Sequence, residues 1–495
     1  MPPAIPEMDR VRLRIKLAYG TGAIADGAKN AAFNAFLLYY YTAVLGLPGT
    51  LSGLAIFLAL CVDAITDPLL GSISDNFSSR WGRRHPFMYA AALPMGLCFL
   101  ALFDPPEGLG PNGLFLWLLT FAIGVRLFLT FYMVPSGALG PEMTKSYDER
   151  TGLVSFRWML GWLGALAVTA SGWFGFFRDS PGGIDGRLEA ANYPALGLFC
   201  GVLVSSAILV SSAGTHGLIP SLRRPARPGP FFSLSRFAAE LRNALANRSY
   251  RMLLAGSLLS AGALGVQEVL GTYMYTYFWE FRSEQLGTLA LLSAFPVFAG
   301  VALARPVSAR LDKRRAAMAL ALFAVLFGPA AVALRLLGVL PPNGDPLLFW
   351  LVAAHGGLIV VAAIQIGILF SSMIMDSVDE SELETGLRQE GIFVSAIAFT
   401  NKAVSGLGNF VGGSLLDAIG FPRGAEQAAV GAVEGPQVVL LGLLQGPGLM
   451  LLYLASLVFL ARYGITRERY GEITRALERR RAAELGPSRP AALRS

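Results

Sequence analysis

The chain has 495 residues, 54% of them apolar and only 15% charged, against roughly 25% charged in an ordinary soluble domain. That balance excludes a soluble enzyme. Its many apolar runs of about 20 residues also exclude a single-span receptor and an outer-membrane barrel, whose strands alternate in polarity. The net charge of +7 takes its meaning from where the basic residues fall, and the three cysteines, Cys61, Cys98 and Cys200, all in apolar runs, suggest neither a disulfide framework nor a metal site.

Apolar runs bounded by charges or by Pro and Gly clusters predict helices at 17–45, 50–74, 86–104, 113–139, 152–176 and 193–213, then at 251–279, 285–306, 316–339, 346–375, 389–418 and 437–463. Twelve spans need about 240–300 residues, which the chain supplies. The expected fold is all-α, a polytopic membrane protein of 12 transmembrane helices. It divides into a six-helix bundle at 1–213, a cytoplasmic linker with a surface helix at 214–250, a second six-helix bundle at 251–465 and a basic cytoplasmic tail at 466–495. The basic start, Arg10 to Lys16, leads into a run too long for a cleaved signal and reads as an anchor. With both termini on one side, 31 of the 40 Lys and Arg lie on that side and four on the other. The asymmetry places the termini and linker in the cytoplasm, at the plasma (inner) membrane. It assigns the positive charge to topology and anionic headgroups, with no nucleic acid as partner.

Polar residues within the runs carry the chemistry. In helix 1, Asp26 and Lys29 are three apart and either neutralise each other or join Asn34 in lining a central cavity. Helix 2 holds Asp63-Ala-Ile-Thr66-Asp67-Pro68, in which residues four apart share a face about 6 Å apart along the axis. Two carboxylates and the Thr66 hydroxyl can therefore converge. A carboxylate at membrane depth costs roughly 2.5–3.5 kcal/mol on insertion scales. The pair thus requires a cation, either a transported sodium or proton or an Arg or Lys of another helix.

After helix 2, Gly71-Ser-Ile-Ser-Asp75 and Arg80-Trp81-Gly82-Arg83-Arg84 are echoed after helix 8 by Ser308-Ala-Arg310-Leu-Asp312-Lys313-Arg314-Arg315. Two halves related by a parallel repeat form the arrangement of major facilitator transporters. Asp75, Arg83 and Arg84 then read as a gating clamp, with Arg157 of helix 5 a further gating candidate, or as topology-setting charges. Helix 4 adds Arg126 and Thr130, and helix 7 adds Gln267 and Glu268. For Arg126 and Glu268, substrate contact and interhelical pairing are both open. Tyr273, Tyr275 and Tyr277 read as an interfacial aromatic belt, and His355 as a packed histidine. In helix 11, Asn401 precedes Lys402, whose place near the midplane makes it the counter-charge to the aspartate pair.

Five segments, in order, carry a resemblance: Tyr19-Gly-Thr-Gly22 through Tyr39-Tyr-Tyr41-Thr42, Asp63 to Pro68, Arg80 to Arg84, Val134-Pro135 through Pro141-Glu142-Met-Thr144, and Thr385-Gly-Leu-Arg388-Gln-Glu390-Gly391-Ile through Lys402. On these the chain is similar, over nearly its whole length, to the glycoside-pentoside-hexuronide:cation symporters, the melibiose-permease-like branch of the major facilitator superfamily. The resemblance implies secondary active transport by alternating access, driven by sodium or proton. It puts the cation site at Asp63, Thr66 and Asp67 with Thr130, and coupling at Lys402. Substrate-binding candidates are Asp26, Lys29, Asn34, Arg126, Gln267, Glu268 and Asn401. Melibiose-type members hold sugar hydroxyls with one aspartate on helix 1 and one on helix 4, where this chain has Gly27, next to Asp26, and Met133. A sugar, glycoside or uronide held by a different constellation is therefore expected. The alternative is a lysolipid or other organic anion, as in the animal lysophospholipid symporters that resemble the same family.

The enzyme reading rests on Asp63-x-x-x-Asp67-x-x-x-Gly71-x-x-x-Asp75, which resembles part of a membrane phosphatidyltransferase signature, but Pro68 follows Asp67 and Ser79 stands where the next aspartate belongs. The protein is expected to be no enzyme and to need no cofactor. It is expected to work as a monomer with a small-molecule substrate, a coupling cation and the bilayer.

Overall fold

The computed structural model describes residues 11–144, 147–179, 185–222, 242, 245–310, 312–386, 390–425, 433 and 435–484. Among them it is helical throughout, with no strand. Ten helices are long and apolar enough to cross a membrane: α2 (Gly49–Asn76), α3 (His85–Phe103), α4 (Pro111–Met143), α5 (Tyr147–Ser171), α6 (Tyr193–His216), α7 (Arg248–Tyr273), α8 (Ser283–Leu292 and Ala294–Arg310), α9 (Lys313–Phe327 and Ala330–Leu336), α10 (Pro346–Thr385) and α12 (Gly435–Leu443 and Leu449–Leu460).

The other two expected spans are also helical, and their sequences explain why they stand apart. Segment α1, residues 13–44, is broken into the α-helical pieces Leu13–Thr21 and Ala23–Ala32 and the π-helical turns Phe33–Leu37 and Tyr40–Val44. Helix α11 (Glu390–Ala418) is unbroken, but Asn401 and Lys402 interrupt its apolar run. These two elements bring most of the polar side chains to the site. The expected linker falls largely on residues outside those described. The expected tail is helical at α13 (Arg467–Glu484) and docks on α10, burying Ile473 and Leu477 and donating a 3.0 Å hydrogen bond from the Tyr470 hydroxyl to Asp379.

Helices up to His216 pack mainly among themselves, as do those from Arg248 onward, and α11 joins the two sets by lying against both α2 and α7. Small residues permit that approach. A Cβ on Gly49 or Gly413 would overlap the carbonyl oxygen of the other, and one on Gly408 would overlap that of Gly262. Any larger residue there would push α11 away from the helices it connects.

At the end of the bundle where the first and last described residues, Val11 and Glu484, lie, ion pairs bind each set to itself. Glu142 accepts from Arg83 and, at 2.7 Å, from Arg84, which also lies 3.5 Å from Asp75. In the second set Lys313 pairs with Asp376 at 2.8 Å, while Asp312 caps α9 through the Arg314 amide and accepts the Arg467 amide at 2.8 Å. The sequence echo thus has a structural counterpart: in both sets a basic residue at the turn between the second and third helices pairs with a carboxylate of the fourth. Arg157 is not part of the clamp. It contacts the Tyr19 hydroxyl and Ser136 Oγ, each at 3.2 Å, with its guanidinium over the Tyr19 ring.

Ties between the sets occur at the opposite, far end. Asp417 of α11 accepts the Gly49 and Thr50 amides at 2.9 and 2.8 Å, capping α2 from the other set, and accepts the Thr50 hydroxyl at 2.7 Å. Arg187, held by Asp185, donates to the Thr276 hydroxyl and the Phe281 carbonyl at 3.0 and 2.9 Å. Tyr39 and Tyr277 meet hydroxyl to hydroxyl at 3.1 Å. Tyr273 and Tyr277 are therefore buried at a seam between sets instead of forming an aromatic belt, and of the three only Tyr275 is exposed. Removing an N-cap carboxylate costs about 0.5–2 kcal/mol. Asp417→Ala is expected to shift the population roughly 2- to 30-fold toward opening at the far end. The readout is faster labelling, by an impermeant thiol reagent added from that end, of a cysteine placed at Ile56, which lines a cavity between the sets, in a cysteine-free background. Unchanged labelling would refute the cap's role.

Candidate functional site

A cavity of about 570 Å³ lies between the two sets, with Asp26, Lys29, Asn34, Asp63, Asp67, Arg126, Thr130, Glu268, Asn401 and Lys402 all on its wall. Helix α2 presents Asp63 and Asp67 one turn apart, as their spacing requires. Thr130 of α4 stands between them, 3.0 Å from Asp63 Oδ1 and 2.9 Å from Asp67 Oδ1. The other oxygens are met from α11: Lys402 Nζ lies 3.2 Å from Asp63 Oδ2 and 2.5 Å from Asp67 Oδ2. Asp63, 7% exposed, also pairs with equally buried Arg126 at 3.5 Å. Two carboxylates, two cations and one hydroxyl thus form a single network crossing from one set of helices to the other.

Thr66 is not brought into this network. Its hydroxyl donates to the Asp63 backbone carbonyl at 3.2 Å, the back-bonding that serine and threonine adopt inside helices. Sharing a face with Asp63 placed Thr66 near the site, but the local carbonyl took its proton. Removing the Thr130 hydroxyl, which contacts both charged carboxylates, costs about 1.5–3 kcal/mol. Thr130→Val is expected to weaken binding of a cation at the two carboxylates by at least about tenfold, measured by cation-dependent thermal stabilisation; an unchanged dependence would exclude Thr130 from the site.

The remaining candidates separate into two groups. Lys29 is buried and turned toward its own helix, with Nζ 2.5 Å from Asn30 Oδ1 and 3.8 Å from Asp26 Oδ1, and Arg126, besides pairing with Asp63, lies over the Phe33 ring. Both basic residues are thus already matched by carboxylates. Glu268 faces the cavity from α7, where Asn34 Nδ2 approaches its carboxylate at 3.4 Å, and Asn401 Oδ1 is buried with no hydrogen-bond partner among the described residues. Gln267, adjacent to Glu268, points elsewhere: it accepts from the Tyr453 hydroxyl at 3.1 Å on the wall of a second chamber. Gly27 packs on α5, where a Cβ would overlap the Gly161 carbonyl, so the carboxylate that this helix offers the cavity is Asp26. His355 is a packed histidine bonded to the Phe327 carbonyl at 2.8 Å. The clamp acceptor Glu142 and the cap Asp417 carried no assigned role in the sequence, although Glu142 stands in the Pro141-Glu142 segment that marked the resemblance.

Four carboxylates and three basic side chains line the cavity, so full ionisation leaves one negative charge there. A multi-pass helical protein with a charged cavity at the seam between two sets of helices has the architecture of a membrane transporter, and its family and relatives make it a secondary transporter rather than an enzyme. The chain belongs to the MFS/sugar transport protein family, whose model matches residues 18–467. It is 26% identical over 488 residues to the uncharacterized symporter sll1374 of Synechocystis, covering 83% of this chain and 87% of that one. It is 22% identical over 414 residues to the isoprimeverose transporter of Lactiplantibacillus pentosus, covering 81% and 79%. Its fold is similar to that of the nucleoside transporter NupG, with a TM-score of 0.57 at 14% identity over 90% of this chain and 98% of that one.

Proposed function

We propose that the protein is a cation-coupled symporter of a glycoside or other sugar, with 12 spans, both termini in the cytoplasm and residues 1–213 rocking against 251–465 in the plasma membrane. The observation that carries this reading is the contact of Lys402 with both Asp63 and Asp67 across the two sets. In the proposed cycle, sodium or a proton takes the carboxylate and Thr130 oxygens, Lys402 withdraws, and the link between the sets is released. A single bound cation also cancels the one uncompensated negative charge of the cavity. The ties at the far end support a resting state closed to the outside, with its cytoplasmic clamps holding each half rigid.

The substrate reading favours neutral hydroxyls. Lys29 and Arg126, the basic groups suited to a uronide or other anion, are engaged by Asp26 and Asp63. Glu268, Asn34 and Asn401 are left as hydrogen-bonding groups toward the cavity, and carboxylates and amides suit vicinal hydroxyls. The test is a thermal-shift screen of purified protein against sugars, glycosides, uronides and lysolipids, with sodium or choline, at two pH values. A ligand at one hundred times Kd stabilises by about 2.7 kcal/mol. Cation-dependent stabilisation by a glycoside, lost in Asp67→Asn, is the expected result. Stabilisation by uronides or lysolipids alone would overturn the substrate assignment while leaving the cation site standing.

A further inference from the structure

A second cavity among the described residues is larger than the charged one. A chamber of about 1090 Å³ opens inside the second set, between α7, α8, α9, α10 and α12, just above the roughly 300–1,000 Å³ typical of sites for drug-sized ligands. Its wall is mostly apolar, with Leu264, Phe295, Val332, Val360, Phe370 and Leu457 among its surfaces. It meets the charged cavity at α11, where Asn401 and Ser405 line both spaces. Asn401 Oδ1 is the partnerless oxygen noted above, and it stands at that junction. On the same chamber wall, α12 widens into the π-helical turn Leu444–Gly448, a distortion frequent at functional sites.

Nothing in the cation-coupling scheme uses this chamber. An apolar space beside a hydrogen-bonding cavity, with the polar side chains of Asn401 and Ser405 on the wall of both, matches an elongated molecule with one hydroxylated and one apolar end. We infer that the chamber receives the apolar aglycone of a glycoside whose sugar occupies the charged cavity, with Asn401 at the junction near the glycosidic oxygen. The inference rests on the glycoside reading above. The aglycone is the part the protein selects by size, since apolar surface moved from water into the chamber adds affinity in proportion to its area.

Two glycines of α10 allow the chamber to be filled without removing any polar group. Gly356 and Gly367 line it, and a Cβ at either meets nothing within 4 Å. Both lie within a helix, where replacing glycine also favours the helical state. The experiment compares methyl, phenyl and 2-naphthyl β-glycosides of glucose, galactose and xylose, binding to the full chain in lipid nanodiscs, for the wild type, Gly356→Phe and Gly367→Phe. The expected result is at least tenfold tighter binding of the naphthyl than of the methyl glycoside of the preferred sugar. In at least one filled variant that gain falls below threefold while methyl-glycoside binding is unchanged, which also shows that the variant is folded. Equal affinity of the wild type for methyl and naphthyl glycosides overturns the inference and leaves the glycoside reading intact, with the chamber then a place for membrane lipid. A naphthyl preference that persists in both filled variants also overturns it, by placing the aglycone elsewhere. Failure of every glycoside to bind, methyl included, overturns the glycoside reading and the inference together.

Discussion

Asp63→Asn is expected to abolish accumulation of substrate against a gradient, by at least about a hundredfold, while the protein is still made and inserted. Asp63 is the most heavily engaged group of the site, with Arg126, Lys402 and Thr130 all on its carboxylate. Taking one charge from a buried, paired cluster costs about 3–5 kcal/mol because the partners stay behind uncompensated. Here the partners are two cations, and the loss raises the positive charge of the place where a further cation has to bind. A hundredfold loss of cation affinity corresponds to about 2.7 kcal/mol, just below that range, so the loss is at least that large. The measurement is uphill uptake in membrane vesicles, normalised to the amount of protein inserted. Wild-type accumulation by Asp63→Asn would remove Asp63 from the coupling site.

Lys402→Gln is expected to split binding from coupling. An ammonium held on a helix of the opposite half occupies two of the oxygens that a transported cation needs, so the cation has to displace it. Without the ammonium, the purified protein is expected to bind its coupling cation at least about tenfold more tightly, a gain of about 1.4 kcal/mol. Uphill transport is expected to fall at least about tenfold, because the link that reports cation occupancy to the other half is gone. Titration of cation-dependent stabilisation alongside vesicle uptake reads both numbers. A variant that keeps the wild-type cation affinity would show that Lys402 does not compete for the site.

Much of this site was legible in the sequence for a physical reason. Asp63 and Asp67 are four apart on one helix, and helical geometry alone puts them on one face. Lys402 lies deep in an apolar run, where an unpaired ammonium is costly, so an acidic partner was demanded before any contact was seen. What periodicity cannot supply is which helix faces which. Arg126 has two open readings, and nothing in its own helix foretells the 3.5 Å approach to Asp63 of another. Gln267 and Glu268 are adjacent in sequence and therefore point about 100° apart, which sends one to the apolar chamber and the other to the charged cavity. The tyrosines of helix 7 had the composition of a membrane belt, yet Tyr39 of α1 meets Tyr277 and turns part of the cluster into a seam between halves. Asp417 capping α2 from a separate set of helices, 368 positions from Gly49, has no local signal at all. The count of apolar helices reached ten because α1 and α11, which carry Asp26, Lys29, Asn401 and Lys402, have given up apolar length and regularity to the site.

Coupling of a cation gradient to the movement of a glycoside is the role we propose for the pair Asp63 and Asp67 with Thr130 and Lys402. Its most direct test is uptake into proteoliposomes of the glycoside that stabilises the protein best, with an inward sodium gradient, an inward proton gradient or neither, for the wild type and Asp67→Asn. The expected result is accumulation above the external concentration under one of the two gradients, with Asp67→Asn reaching equilibrium and no further. Equilibration of the wild type under both gradients, or accumulation by Asp67→Asn equal to wild type, would contradict it.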